Sequence, residues 1–481
     1  MRSILSFLLI AGVLAGCVKN PVTGKRELML MSESQEIAMG VQYDPEIVNM
    51  YGLYDDPKLQ AFINEKGKEM GKISHRPSLD YQFRILDSPV VNAFAVPGGF
   101  VYFTRGILAH FSNEAEFAGV LGHEIGHITA RHSARQQSNQ LLTQLAILGG
   151  MVASEDFRKY GDVAMQGASL LFLKFSRDNE SESDKLGVEY STQIGYNSVH
   201  MAHFFRTLQR LSGDGGAIPS FLSTHPDPGD RFTKVGHYTK EFQAAKGIPA
   251  ESLKENRAAY LNMIDGLVYG EDPRQGYFEQ SKFYHPELKF FFNVPANWQT
   301  QNTPAQVQMA PEDGKALMIL ALEQGTNLNT AADQVLTRNG LNATERTQTT
   351  VNGLPALAIL GEQVPQQGAN PQDVLQALVY LIQYDGRIYN LTGIAKKPDF
   401  NTYYPNFMNT MKSFNKLTDA SKLNRKPERI KVVTVNNNTT VQAFLQSNGV
   451  AASRMEELAI VNGVELTDNL TKGTLFKLVA K

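Results

Sequence analysis

Residues 119–132 read GVLGHEIGHITARH and set His123, Glu124 and His127 in the order His-Glu-x-x-His. On a helix, residues four apart share a face, so the two imidazoles can hold one Zn²⁺. Glu124 lies beside them, placed to act on water rather than to bind the metal. That pairing serves peptide-bond hydrolysis. A buried helix carrying satisfied core histidines would explain a lone histidine, but it explains the full pattern poorly in a chain with ten histidines. The extended form of the motif needs Gly three residues after the second His and a third His three further on. Ala130 and Ser133 stand there instead. His132 misses by one residue and is expected to point off the ligand face, so the third ligand has to come from elsewhere.

A second helix is the place to look. Residues 176–196, SRDNESESDKLGVEYSTQIGY, hold Glu180, Glu182, Asp184 and Glu189. Glu180 and Asp184 are four apart and share a face. One carboxylate can ligate the metal while the other, a turn on, reaches a ligating histidine and fixes its tautomer. Glu182 points away from that pair and is expected in solvent, and Glu189 lies more than two turns beyond Glu180. A plain solvated charged helix is the competing reading of this stretch.

These residues need elements to hold them. Asn113 can cap the first helix, with Glu116 in the capping-box position, and Phe117, Val120, Leu121 and Ile128 recur at helical spacing. Residues 20–269 are mostly helical in pattern, with one β-rich island. That island, NAFAVPGGFVYFTRGIL at residues 92–108, reads strand, turn, strand about Pro97-Gly98-Gly99. The apolar run at residues 140–153 is too short and too interrupted at Gly149-Gly150 to cross a bilayer, and reads as a buried helix, with a lid or membrane-touching segment as the alternative. Residues 266–288 are rich in Gly, Pro and charge, as a linker would be.

Beyond them the texture changes. Trp298 follows FFFNVPAN, strand-like runs follow, and Asp385-Gly386 sits between two of these as a two-residue hairpin turn. The stretch NTYYPNFMNTMKSF reads as a helix. Residues 285–417 therefore form a small α+β domain, similar to the PsbP/Mog-type sandwich through Pro-x-x-Trp and Lys-Ser-Phe. After a polar, basic linker, residues 430–481 read strand, helix, helix, strand, with Thr439 capping the first helix and Ser453 with Glu456 boxing the second. That order and the IVNG…LTKGTLFKL ending resemble a LysM module, a glycan-binding fold, although Asn437-Asn438 replace the usual Gly-Asp.

The N-terminus is of another kind. MRSILSFLLIAGVLAGC pairs Arg2 with an apolar run and ends on Cys17, the only cysteine of the chain. It resembles a bacterial lipobox, which implies removal of the signal segment and lipidation of Cys17. Val18 follows, with no aspartate to suggest inner-membrane retention, so the outer membrane is the expected anchor. The net charge of -2 gives no basic face for nucleic acid.

Five ordered motifs carry a wider resemblance: NPVTGKRELMLMSESQEIAMG, NAFAVPGGFVYFTRGIL, NEAEFAGVLGHEIGHITARH, FSRDNESESDKLG and STHPDPGDR. Together, over about residues 20–232, the chain resembles the HtpX/BepA/Oma-like and CaaX-prenyl-protease superfamily of zinc metallopeptidases, peptidase family M48, in its periplasmic lipoprotein branch. The resemblance implies that Glu180 is the third zinc ligand beside His123 and His127, one Zn²⁺ per chain, with Asp184 supporting a ligating histidine. Ser183 stands where the family has alanine. It implies that an edge strand pairs with substrate backbone, at Asn92, Ala93, Phe94 and Ala95 or around residues 100–103. It brings His225 close to the site, as a stabiliser of the oxyanion or as a fourth ligand at rest, and gives Arg231 an ion pair that holds its loop.

The sequence thus reads as a multidomain chain: signal segment 1–17, a mainly α gluzincin-type peptidase domain with a small β-sheet over 18–270, the α+β domain, and the βααβ LysM-like module. The expected activity is that of a lipid-anchored periplasmic zinc metalloendopeptidase acting on misfolded or stalled envelope proteins, with Glu124 as base. Membrane contact through Cys17 and peptidoglycan contact through the last module accompany it. A chaperone-like assembly factor, a wall-bound scaffold and a peptidoglycan peptidase are the rival readings.

Overall fold

A computed structural model describes residues 17–139, 175–213, 220–225, 228–364 and 371–481. The apolar stretch at 140–153 and the signal segment ahead of Cys17 lie outside the described residues. The chain divides into two compact units, one of Gly52–Gly270 with Met1–Val48 and Arg429–Ala480, the other essentially Glu271–Glu428.

In the first unit, α1 (Glu33–Tyr51) starts at a capping box made by Ser32 and Gln35. Helix α2 (Pro57–Ile73) starts at Asp56, whose carboxylate accepts from two backbone N–H groups, with Pro57 in the first turn where no N–H is needed. Strands β1 (Gln82–Leu86), β2 (Ala93–Val96) and β3 (Phe100–Thr104) make a three-stranded sheet with β3 in the middle, parallel to β1 and antiparallel to β2. The turn into β3 runs through Gly98 at φ 87° and Gly99 at φ 103°. A Cβ on Gly98 would stand 2.7 Å from the backbone of α1, so only glycine fits. The second strand is shorter than the sequence suggests. It stops at Thr104, whose hydroxyl caps α3 (Arg105–His110).

Helices α4 (Glu114–Thr129), α5 (Arg177–Gln193), α6 (Val199–Ser212) and α7 (Pro228–Lys246) follow. Every residue of α4 is buried, not only its apolar stripe. This helix is therefore the centre of the core, enclosed by α5, α6 and the sheet.

The stretch expected as a linker is structured. Val268–Tyr269 is a short strand, β4, and Tyr277–Glu279 with Lys282–His285 form a hairpin of the second unit. Short strands flanked by Gly and Pro show too few alternations to be read as strands. Strand β4 adds to a sheet whose other members are β5 (Glu428–Thr434) and β6 (Leu475–Ala480). Between those two lie α8 (Val441–Ser447) and α9 (Ala452–Val461), which gives the expected strand, helix, helix, strand order. The caps differ from expectation. Thr440, not Thr439, caps α8, and α9 starts at Ala451 with no side-chain cap, which leaves Ser453 inside the helix.

The C-terminal segment is built into the first unit. Lys477 is fully buried, and its Nζ donates to the carbonyls of Ala109 (2.9 Å) and Phe111 (2.8 Å), just ahead of α4. Ser112 donates to the Asn462 carbonyl, and Arg210 to that of Val464. His110, close to Lys477, donates from Nδ1 to the Gly106 carbonyl at 2.7 Å. Burial pushes its pKa from 6.5 down to about 4, against the Gly106 bond and with help from Lys477. The native state keeps this imidazole neutral, whereas the unfolded chain takes up a proton below pH 6.5. Stability is therefore lost as pH falls from 6.5 towards about 4, by about 3 kcal/mol in total. A His110→Gln variant should show a shallower fall of Tm across that window than the parent, measured by thermal melts in the presence of a zinc chelator. Equal slopes would remove His110 from the account.

The second unit carries a seven-stranded antiparallel sheet and a four-stranded one. Along Leu375–Tyr384, Leu378, Tyr380 and Ile382 face Phe407 and Met411 of the helix Lys397–Ser413, while Ala377, Val379 and Leu381 face Val335 and Leu336 of Leu328–Arg338. Both faces are covered, which is why the strand reads as a nearly continuous apolar run. Asp385 (φ 49°) and Gly386 (φ 72°) form the expected tight turn.

Candidate metal centre

Helix α4 is capped by Asn113, whose side chain accepts the Glu116 N–H at 2.8 Å. The Glu116 carboxylate returns to the Ser112 N–H at 2.7 Å rather than to that of Asn113, so the box is displaced by one residue. Along one face of α4 the chain places Gly119, Gly122 and Gly126. A Cβ on Gly122 would lie 3.0 Å from the Cα of Gly187, one on Gly126 3.2 Å from the Cα of Ser183, and one on Gly119 2.5 Å from the Met201 Cβ. The glycines let α5 and α6 come close, and α5 then brings Glu180 and Asp184 to the histidines of α4.

Four side chains converge. His123 Nε2 and His127 Nε2 stand 2.9 Å apart. Glu180 Oε2 is 3.5 Å from the first and its Oε1 3.4 Å from the second. His225 Nδ1 lies 3.0 Å from Glu180 Oε1 and 3.3 Å from His123 Nε2. All four are buried, and their donor atoms lie within 4.8 Å of one another. Nitrogen and oxygen ligands of a tetrahedral Zn²⁺ stand roughly 3.4 Å apart when each bond is about 2.1 Å, so the spacing fits. The charges fit as well. Glu124, Glu180 and Asp184 are buried carboxylates, and Arg231 is the buried cation among them. A divalent cation brings that group to neutrality, which a low-dielectric interior requires.

The neighbours hold the donors in place. His123 Nδ1 lies 3.0 Å from Asp184 Oδ1. Arg231 grips Asp184 with two bonds of 2.6 and 2.9 Å, stands 3.0 Å from Glu180 Oε2, and stacks 4.0 Å above the Phe205 ring. Burial raises the Glu180 carboxyl, but the charges of His225 and Arg231 and the bonds from His123 and His225 outweigh it and hold it well below the usual range. Glu124 differs. Burial pushes its carboxyl up, and neither of its oxygens has a hydrogen-bond partner among the described residues. It faces His225 Nε2, itself unpartnered, at 3.6 Å.

One expectation needs correction. Glu182 is not free in solvent but half-buried: it accepts from His132 Nε2 at 3.0 Å and lies 3.7 Å from Arg135. His132 is outside the donor group, as expected, and is fully buried behind His127, with the two Nδ1 atoms 2.9 Å apart. Phe175 and Phe221 also escaped the sequence reading. They stack on His127 at 4.1 Å and on His225 at 4.5 Å. A lone Phe carries no positional signal in the chain.

Beside the donors, β2 is an edge strand. Residues 100–103 belong to the central strand, paired on both sides, so of the two expected positions only β2 is an edge of that sheet. Ala93, Phe94 and Ala95 lie on it, while Asn92 precedes it and spends its carbonyl on Thr104. A cleft runs from Phe94, Ala95 and Val96 to Phe175 and His225. No helix among the described residues is long and apolar enough to cross a membrane.

Comparison with known proteins agrees with this centre. Residues 55–239 match the model for peptidase family M48. The chain is 28% identical over 250 residues to the beta-barrel assembly-enhancing protease of Yersinia pestis, covering 50% of each chain. It is 34% identical over 172 residues to the mitochondrial metalloendopeptidase OMA1 of Arabidopsis thaliana, covering 36% of this chain and 34% of that one. The chain thus spans about half the length, or less, of these curated relatives. Among solved structures, cyanobacterial PsbP from Synechocystis aligns with 28% of this chain and 91% of its own, at 11% identity and a TM-score of 0.24. With the donor set in place and the family model matched around it, residues 55–239 form a zinc metallopeptidase domain of the peptidase family M48 type.

Proposed function

We propose that this chain is a periplasmic zinc metalloendopeptidase of the bacterial envelope, anchored through a lipidated Cys17, that cuts misfolded or stalled envelope proteins. One observation carries the reading: a four-donor cluster with an unpartnered buried carboxylate, Glu124, beside the edge strand β2. His123, His127 and Glu180 would hold the zinc, with His225 as the fourth donor at rest. Zinc bound there supplies Lewis acidity, which acidifies water and polarises a carbonyl.

The remaining steps belong to the protein. An extended polypeptide adds to β2 through main-chain hydrogen bonds, which gives affinity with little side-chain preference. Glu124 accepts the proton of the attacking water and passes it to the leaving amine. His225, swung off the donors, presents its ring to the developing oxyanion. Asp184 and Arg231 keep His123 and Glu180 in register. Phe175 and Phe221 keep water from the imidazole faces. The LysM-like module places the enzyme near peptidoglycan.

The names of relatives such as the Yersinia pestis protein join assembly to proteolysis, which favours a second reading as an assembly factor in which cleavage is secondary. The deciding experiment incubates the purified mature chain, loaded with zinc, with an unfolded polypeptide and, separately, with sacculi. Internal cuts in the polypeptide that a zinc chelator stops are the expected result. Fragments released only from sacculi would move the substrate to the cell wall. No cleavage of either, together with full rescue of a deletion strain by Glu124→Gln, would establish the assembly reading.

A further inference from the structure

Helix α4 ends at Thr129, and the chain then does something unusual. Arg131 adopts φ 57°, in the left-handed region that helix ends normally give to glycine. The arginine is held there by its side chain. It is buried, and it donates to Glu36 at 2.6 Å and to the Met31 carbonyl at 2.8 Å. An over-determined left-handed residue next to a functional site points to a purpose for the turn it makes. The turn folds His132 back beneath His127.

We infer that His132 and Glu182 form a proton-ordered relay behind His127, in which Glu182 positions a zinc donor through a second imidazole. The inference rests on the reading of His127 as a zinc donor. His127 Nε2 faces the cluster and must carry no proton to donate its lone pair, so the proton of the neutral ring sits on Nδ1. That Nδ1 faces His132 Nδ1 at 2.9 Å, and one proton fits between them. His127 is the donor and His132 Nδ1 the acceptor. The proton of His132 is then on Nε2, where Glu182 Oε2 accepts it at 3.0 Å. Each proton has one place, and no group is left with two donors or two acceptors in opposition. The Ser183 hydroxyl also lies 3.3 Å from His132 Nδ1.

The arrangement parallels the other histidine by a longer route. His123 Nδ1 meets a carboxylate directly, at Asp184. His127 meets one only through His132. Both routes raise ligand basicity and fix a ring plane. His132 is a positioning residue, since its atoms belong to none of the converging donors.

The test measures zinc affinity of the full mature chain by competition with a chelator, and the absorption bands of the cobalt-substituted protein. His132→Phe removes the acceptor and should weaken zinc binding by about 10- to 100-fold, with shifted cobalt bands. His132→Asn keeps an acceptor oxygen near the Nδ1 position and should recover much of that loss. Glu182→Ala should weaken binding in the same direction as His132→Phe. Nitrogen NMR should find the His127 proton on Nδ1 in the parent. Affinity and bands unchanged in His132→Phe would overturn the relay, as would equal losses in His132→Phe and His132→Asn that track the melting temperature of the zinc-free proteins. An unchanged Glu182→Ala would overturn the carboxylate's part. A His127→Ala control separates the two levels: if it binds zinc as the parent does, the reading of His127 as a zinc donor itself fails.

Discussion

Substituting Glu124 by Gln should lower kcat/KM on an internally quenched peptide by about 10²- to 10⁴-fold, while zinc content and fold persist. Gln has the same shape, so the cleft keeps its walls. It cannot take a proton from water. The structure sets this residue apart from the other buried acids. Asp184 and Glu180 are each met by Arg231, whereas both Glu124 oxygens lack a hydrogen-bond partner among the described residues. An unpaired buried carboxylate costs stability, and a chain tolerates it where the group has chemistry to do. The variant should therefore melt no lower than the parent, and higher if the desolvated charge was a burden. Kinetics, metal analysis and a thermal melt on the same preparation decide the matter. Activity within about twofold of the parent would remove Glu124 from the mechanism.

What the sequence made legible follows the helical period. His123 and His127 share a face because they are four apart on a helix, and the structure sets their Nε2 atoms 2.9 Å apart. Glu180 was another matter. Nothing in its distance along the chain places it, and resemblance assigned it. The physical cause of its approach is the spacing Gly119, Gly122, Gly126 against Gly187 and Ser183, a closeness that only two backbones in space can show. His132 was read by helical phase as pointing away from the ligands. That phase ends at Thr129, and Arg131 reverses the chain through an ion pair with Glu36, ninety-five residues away. Glu182 likewise was judged on its own helix, and its partner sits on another element. In the second unit, strands covered on both faces were easy to read from their apolar runs. The two-to-four-residue strands between residues 266 and 288 were not, since so few positions carry no period.

Arg231→Met should destabilise the zinc-free protein by about 3–5 kcal/mol, the usual consequence of removing one partner from a buried ion pair. Arg231 is 4% exposed and is the cation that meets both Asp184 and Glu180. Methionine fills the volume over Phe205 but leaves two buried carboxylates facing each other without it. Burial raises the Asp184 carboxyl, and the Arg231 charge and its bonds more than reverse that, so the acid is ionised in the parent. Without the guanidinium it must take a proton or bear an uncompensated charge. Zinc then matters more to the variant than to the parent, because the ion is the remaining positive charge that Glu180 can meet. If zinc still binds, the rise in Tm on adding it should be larger in Arg231→Met, since it offsets a repulsion that the parent does not carry. Arg231→Lys should fall between the two, as it keeps the charge but cannot grip Asp184 with two parallel bonds. Melts with and without zinc measure all three. A zinc-free Arg231→Met protein within about 1 kcal/mol of the parent would mean that water, not Arg231, solvates these acids. The same result would weaken the claim that a divalent cation is needed to balance the buried charge.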